Sequence, residues 1–395
     1  MKTQNIYLLP TISLVALSPL MAQDNGVDTK AANFKEGKFT DYLELAEKAI
    51  EANADDLPED VKAQDLFNAL GLGNISKYAQ SSTPQGTEWI NKIHLNNGGD
   101  NQGALKLLLD TKHKGLSVPN MAPAGSDLAL QLSLNLSNLE PLVSSVMAKA
   151  ATDEDKADFK AQMESPVPMM EMTTSELLQK LDLRLNLVID LDENEKLPTP
   201  VGEFNKPHIV GRIDGAAWTW AKVGAQAIGG TGLPFQKAEA NGVTTYTLPA
   251  EMSANFMGYS PVISVDKNKD QIWVASSPEF LKKSSSGQNT LAQSEDYKKT
   301  MEGLPKDGVS MTYVSKGFAN FLFNALGELK TKGMLDEAGD EANEQIDLAL
   351  AQLNKVQTGM AQVISTDANG ILLSERNVKN IEEQMKEGLK LLETK

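Results

Sequence analysis

The stretches Ser126-Asp-Leu-Ala-Leu-Gln-Leu-Ser-Leu-Asn-Leu136 and Asp182-Leu-Arg-Leu-Asn-Leu-Val-Ile-Asp-Leu191 decide the fold. In both, aliphatic residues occupy every second position and mostly polar residues lie between them. A period of two predicts strands with one apolar face, here half-buried strands of an antiparallel sheet. The apolar faces would consist of Leu128, Leu130, Leu132, Leu134 and Leu136, and of Leu183, Leu185, Leu187, Ile189 and Leu191.

The opposite side of these two strands carries short or polar side chains, and we expect it to face water. Its residues are Ala129, Gln131, Ser133, Asn135, Arg184, Asn186 and Asp190. Helices would then cover only the leucine side of the sheet.

Helical patterns surround the strands, so the predicted class is α+β, a large antiparallel sheet covered on one face by helices. The order Pro turn, strand, helix, helical connection and strand hairpin occurs twice, beginning near Met121 and near Leu304. We interpret this order as two diverged α+β repeats. The predicted organisation is a signal peptide over 1–22, a disordered lead over 23–38, a first α+β half over 39–180 and a second α+β half over 181–395.

The N-terminus is typical of a secretory signal peptide. Lys2 precedes an apolar run from Tyr7 to Leu20, and cleavage is predicted after Ala22, although Leu20 fits a small-residue cleavage site poorly. The run is too short, and too interrupted by proline, for a permanent anchor. We therefore expect a periplasmic or extracellular protein that does not span a membrane after cleavage.

The amino-acid composition limits the classes of partner that the protein could bind. The chain has 53 Asp and Glu against 37 Lys and Arg, a net charge of −16, and no cysteine. The missing cysteine excludes disulfides and a lipid-modified cysteine. Because nucleic acids and anionic membrane surfaces attract clustered cations, neither is an expected partner. A protein, a glycan or a lipid remains open as the partner.

Two segments carry a resemblance. Gln271-Ile-Trp-Val-Ala-Ser-Ser-Pro-Glu-Phe-Leu281, Leu304-Pro-Lys-Asp-Gly-Val-Ser-Met-Thr-Tyr-Val314 and the export signal together resemble an uncharacterised family of exported bacterial proteins, known as a domain of unknown function. The likeness covers Leu57 to Val378. It implies a protein of the bacterial envelope and no activity, so no catalytic residue follows from it.

The sequence contains no recognisable catalytic or metal-binding motif. His94, His113 and His208 lack metal-ligand spacing, and the pair Ser264 and Lys267 crosses from a strand into a turn. Two acidic stretches, 190–194 and 266–270, imitate the start of a calcium loop but lack its glycine and its final glutamate. We therefore predict no catalytic residue, no metal site and no cofactor.

Trp218 and Trp220 are the candidate binding residues. If their segment were a strand, both indoles would share a face and could stack on a sugar or a partner; in a helix they would diverge. Packing in the core is the alternative for both.

The leucine faces have two possible fates, burial in a core or exposure to a cavity that holds an apolar ligand. The expected role is therefore non-catalytic, either binding or structural, in an exported envelope protein. The alternatives are a carrier of an apolar ligand and an extracytoplasmic hydrolase whose acids no spacing reveals.

Overall fold

The computed structural model describes residues 26–31, 33–40, 67–99, 102–199, 202–333 and 340–393. The predicted signal peptide over 1–22 lies outside these residues. Among the helices within them, none is long and apolar enough to cross a membrane.

A single antiparallel sheet of 13 strands dominates the molecule and confirms the predicted α+β class. In spatial order its strands are β1 (Lys35–Lys38), β2 (Lys77–Gln85), β3 (Glu88–Asn96), β15 (Gly370–Asn377), β14 (Gly359–Thr366), β13 (Ser310–Ser315), β4 (Leu128–Asn135), β7 (Asp182–Thr199), β8 (Gly202–Asp214), β12 (Gln271–Ala275), β11 (Val262–Asp266), β10 (Val243–Thr247) and β9 (Gln236–Ala240). A separate ribbon pairs β5 (Pro166–Val167) with β6 (Met172–Thr173).

Helices connect the strands at both ends of the sheet. They are α1 (Gly103–Leu109), α2 (Val118–Met121), α3 (Leu139–Ala150), α4 (Asp153–Glu164), α5 (Thr174–Leu178), α6 (Ala217–Gly230), α7 (Pro278–Ser285), α8 (Glu295–Thr300), α9 (Lys316–Thr331), α10 (Asp340–Leu353) and α11 (Ile381–Glu393).

Both leucine ladders are strands, as predicted. They form β4 and β7, which pair with each other so that Leu130 lies opposite Leu187. Directly opposed residues of an antiparallel pair share a face, and the two ladders therefore merge into one apolar surface.

The order of the sheet is the same when it is followed outward from its centre in either direction. β4 and β13 pair with each other; each is followed outward by a hairpin, β7–β8 or β14–β15, and then by a second hairpin, β12–β11 or β3–β2. Strands of the two predicted halves consequently interleave in one sheet. A duplicated α+β unit would produce this order, and the duplication itself remains a prediction.

Part of the predicted disordered lead over 23–38 contributes to the sheet. Lys35–Lys38 pairs with β2 as an edge strand, and Val27 is 9% exposed. A sheet edge offers free backbone hydrogen-bonding groups, so a polar segment with a few apolar residues can dock there.

The closed core lies on the face of the sheet opposite the leucines, which we call the core face. Ala129, Val188, Val210 and Tyr313 are at most 2% exposed there. The residues that cover them come from α2, α7, α8 and the turns between them: Val118, Met121, Ala122, Phe280, Leu291, Tyr297 and Leu304.

This arrangement corrects the predicted polarity of the strands. The side expected to face water is the buried one: Gln131 is 2% exposed, Ser133 0% and Asn186 4%. Alternation shows which residues share a face, but it does not show which face the covering segments will take. The predicted helical cover over the leucine side is present toward both edges of the sheet, where Val265 and Ile93 are 0% and 1% exposed. It does not close over the middle of that side, along β4, β7, β8 and β12.

Candidate functional site

The exposed part of the leucine side forms a strip across β4, β7, β8 and β12. Leu185, Ile209 and Val274 are 37%, 40% and 46% exposed, among the most exposed large apolar residues of the described chain. Between them lie half-buried aliphatic side chains. We call this surface the leucine strip; it consists of Leu128, Leu130, Leu132, Leu185, Leu187, Ile189, Ile209, Gly211 and Val274.

Helices stand along both sides of the leucine strip. Ala217 and Trp220 of α6 pack on Ile213 and Ile272, toward the β11 side of the sheet. On the other side, α9 and α10 pack around Met360, which shares the leucine face through its neighbours in β13 and β4. The strip is therefore the floor of a groove, with the helices as its walls.

The helix α9, one wall of the groove, keeps much of its apolar surface uncovered. Its side chains Phe318, Phe321, Leu322, Phe323 and Leu326 are all half-buried. A closed core would bury most such side chains completely.

Gly211 lies in the middle of the strip floor. Its neighbours across the sheet are Leu187 and Val274. A Cβ atom placed on Gly211 would come no closer than 3.7 Å to any atom, and the atoms it would meet are the backbone oxygens of Asn186 and Val274. The glycine therefore leaves a depression above the sheet that no neighbouring side chain fills.

At its β7–β8 end the strip meets a cavity of about 750 Å³ between the long hairpin and α9. Phe204 and Phe321 meet edge to face there, with ring centroids 5.7 Å apart. The remaining lining is mostly polar or small: Glu193, Glu203, Asn205, Gly317, Asn320, Phe323, Asn324, Gly327, Glu328, Thr331 and Lys332.

Asp127 joins the strip to this cavity. Its carboxylate accepts a hydrogen bond from Ser315 Oγ at 2.6 Å and another from the Leu191 amide at 2.9 Å. One carboxylate oxygen also lies 3.0 Å from the point where a Cβ atom on Gly317 would stand. Burial raises the pKa of Asp127, and the nearby carboxylates of Asp190 and Glu193 raise it further. Both carboxylate oxygens thus have hydrogen-bond partners within the fold. We therefore interpret Asp127 as a structural residue that links the start of β4 to β7 and to the start of α9.

The core face holds a buried polar network. Gln131 Oε1 accepts hydrogen bonds from the amides of Ser117 and Val118 at 2.6 and 3.2 Å. Arg212 donates to Ser117 Oγ at 2.7 Å, and its guanidinium lies 5.2 Å from the Trp273 ring centroid. These bonds hold the N-terminal end of α2 against the sheet.

Asp214 supplies the negative charge of this network. Its carboxylate accepts a hydrogen bond from Arg184 Nε at 2.7 Å, and it lies 3.0 Å from Arg212 Nε. Burial lowers the pKa of Arg212, but Asp214 opposes that shift. The network opens onto neither of the two cavities beside the β7–β8 hairpin, so we interpret it as structural.

Trp218 and Trp220 do not form a shared aromatic platform in the structure. Both lie in the helix α6, where positions two apart point away from each other. Trp220 packs against Tyr246, with ring centroids 6.1 Å apart, and Trp218 is half-buried. The helical alternative is thus the observed one, and the two indoles do not present a common surface.

The three histidines lie apart from the groove floor and from one another. Buried His94 contacts Asp367 at 2.9 Å, and burial lowers its pKa although Asp367 opposes the shift. His113 contacts the Asp182 carbonyl at 3.1 Å, and His208 lies 3.5 Å from Asp192. Across the described residues, no group of three or more His, Cys, Asp or Glu side chains could hold a metal ion.

Ordinary contacts account for the two acidic stretches that resemble calcium loops. Asp190 forms an ion pair with Lys283 at 2.8 Å. Asp266 accepts hydrogen bonds from the backbone amides of Asn268 and Lys269. Asp270 caps the start of α6 through the Ala217 amide at 2.8 Å.

Sequence reasoning found the leucines of the strip and missed Ile209, Gly211 and Val274. Those residues lie in β8 and β12, far from β4 in the sequence, and only the pairing of the strands brings them together. No family model, curated protein or solved structure matches this chain. The resemblance to an uncharacterised exported family therefore remains a prediction.

Proposed function

We propose that this protein is an exported, non-catalytic binding protein that holds an apolar ligand with an aliphatic chain in the groove above the leucine strip. The observation that carries the proposal is the exposure of Leu185, Ile209 and Val274 on a floor whose opposite face is a closed core. An uncovered aliphatic surface costs free energy in water, about 25 cal/mol per Å², which a ligand would recover.

The chemistry of the floor favours an aliphatic chain over other occupants. A glycan would need aromatic platforms and hydrogen-bonding groups, whereas the floor offers Leu, Ile, Val and one Gly. Leu185 and Ile189 are four residues apart, so the strip runs for about 13 Å along the strands. That length, with helices on both sides, suits an extended chain better than a flat protein surface.

The first test is native mass spectrometry of the full-length gene product purified from the cells that export it, followed by organic extraction of the same sample. We expect a bound lipid in stoichiometric amount and a mature N-terminus after Ala22. A ligand-free mass for a monomer, or a dimer that dissociates when the strip is mutated, would contradict the proposal.

A second test uses an apolar dye whose fluorescence rises on binding, titrated into the delipidated protein. Gly211→Leu should fill the depression in the floor and weaken dye binding at least tenfold with little change in unfolding midpoint. The matched control is Met257→Leu, an apolar exchange at a residue that is 66% exposed outside the strip. Equal dye affinity in both variants and the parent protein would show that the groove is not the binding site.

A further inference from the structure

The cavity at the end of the leucine strip differs from the strip in polarity. Three carboxylates line it, those of Glu193, Glu203 and Glu328, against a single lysine, Lys332. Lys332 lies 3.6 Å from Glu328, so its charge is already compensated. Among the described residues, Glu193 and Glu203 are in no ion pair. The cavity therefore carries an uncompensated negative charge.

The walls between these carboxylates are aromatic. Phe204 and Phe321 meet at 5.7 Å, and Phe318 lies 5.8 Å from Phe321. A cation is attracted to the face of an aromatic ring and to carboxylates, and cavities that combine the two recognise ammonium groups. An anionic group would instead meet the like charge of Glu193 and Glu203.

The cavity lies next to the end of the strip that contains Leu128. Glu193 follows Leu191 in β7, in the irregular stretch between Asp192 and Lys196, and the Leu191 amide donates to Asp127, the residue before Leu128 of the strip. Gly317, at the start of α9, belongs to the cavity and lies against the same Asp127. A molecule that lies along the strip would thus place its end between Glu193 and Phe321.

We infer that the ligand is an amphiphile whose aliphatic chain lies on the leucine strip and whose head group carries a positive charge, a primary or quaternary ammonium. This inference rests on the proposed function. It adds the class of head group and assigns Glu193 and Glu203 as the residues that select it.

The test compares amphiphiles with one chain and different head groups: dodecyltrimethylammonium, dodecyl maltoside and dodecanoate. Each displaces the apolar dye from the delipidated full chain below its micelle concentration. We expect the ammonium compound to bind at least tenfold more tightly than dodecanoate at low salt, with dodecyl maltoside between them. Added salt should reduce the difference because it screens exposed charges.

The variant Glu193→Gln/Glu203→Gln should abolish this preference and leave dodecyl maltoside binding unchanged. Its control is Glu154→Gln/Asp158→Asn, which removes the same charge from the exposed helix α4 and should preserve the preference. Equal affinity for all three head groups, or tightest binding of dodecanoate, would overturn the inference and leave the proposed function standing. No displacement by any of the three would overturn both.

Discussion

Along β4, β7, β8 and β12, the two faces of the sheet differ in how burial relates to hydrophobicity. The core face buries Gln131, Asn186, Arg212 and Asp214 beneath well-packed short helices, whereas the opposite face leaves leucine, isoleucine and valine partly exposed. These polar residues tolerate burial because Gln131 and Asn186 form hydrogen bonds with Ser117 and Asp214 offsets the charge of Arg212. The comparison teaches that one face of the sheet supports the fold and the other is available for a ligand.

Removal of the buried charge on the core face should have the largest effect. Asp214→Ala leaves Arg184 and Arg212 without their common carboxylate, and we expect a loss of about 3–5 kcal/mol in the free energy of unfolding. Chemical denaturation measures it. Glu239→Ala removes a carboxylate from the exposed pair with Lys237 and should cost less than about 1 kcal/mol. Similar losses in the two variants would show that the core face is not the supporting one.

A matched pair of valines compares the faces directly. Val210 of β8 is fully buried on the core face, and Val274 of the neighbouring β12 is 46% exposed on the leucine face. Val210→Ala should cost about 2 kcal/mol through lost burial and a cavity, and Val274→Ala should stay within about 0.5 kcal/mol. Denaturation midpoints of the two variants decide the matter, and equal losses would mean that the leucine face is also part of a closed core.

The core face should also respond to acid through Glu88. Burial raises the pKa of Glu88, but hydrogen bonds from Thr358, Gln357 and Arg376 outweigh it and leave the pKa below its ordinary value of 4.5. The folded state thus binds this proton less readily than the unfolded state. Its contribution to stability is complete above pH 4.5 and is lost as the pH falls through the lower, folded pKa.

Unfolding curves recorded from neutral to acidic pH test this contribution. Glu88→Gln should lose less stability than the parent protein below pH 4.5, because its side chain does not titrate. If parent and variant lost stability in parallel across that range, Glu88 would not be a source of the acid dependence.

The smallest effect on stability is expected on the leucine face. Ile209→Thr keeps a β-branched side chain in β8, and its unfolding free energy should stay within about 0.5 kcal/mol of the parent. Dye affinity should nevertheless fall, since the change places a hydroxyl in the floor of the groove. Unchanged affinity would remove Ile209 from the binding surface, and a large loss of stability would place it in a core.

Local patterns in the sequence were sufficient for several elements. The alternation in 126–136 and 182–191 predicted β4 and β7, and the helical patterns around them predicted the α+β class. Alternation is a local property of the chain, and it survives whatever the strands later pack against. The local pattern did not decide the structure around Trp218 and Trp220, because their short segment is compatible with both a strand and a helix.

Other features depended on residues that are distant in the sequence. β15 lies beside β3, and Arg212 contacts Ser117, 95 residues earlier in the chain, and no local pattern predicts either contact. The same holds for the cavity between the β7–β8 hairpin and α9, whose lining comes from two segments more than a hundred residues apart.

The amino-acid sequence by itself determined that leucines would share one face of an antiparallel sheet and polar residues the other, because successive side chains of a strand point in opposite directions. Only the tertiary structure decided which of these faces is buried. Ser117 and the residues around it supply partners for Gln131, Asn186 and Arg212, and those contacts form only when α2 packs on the sheet. The leucines, which need no such partners, were left to line the groove.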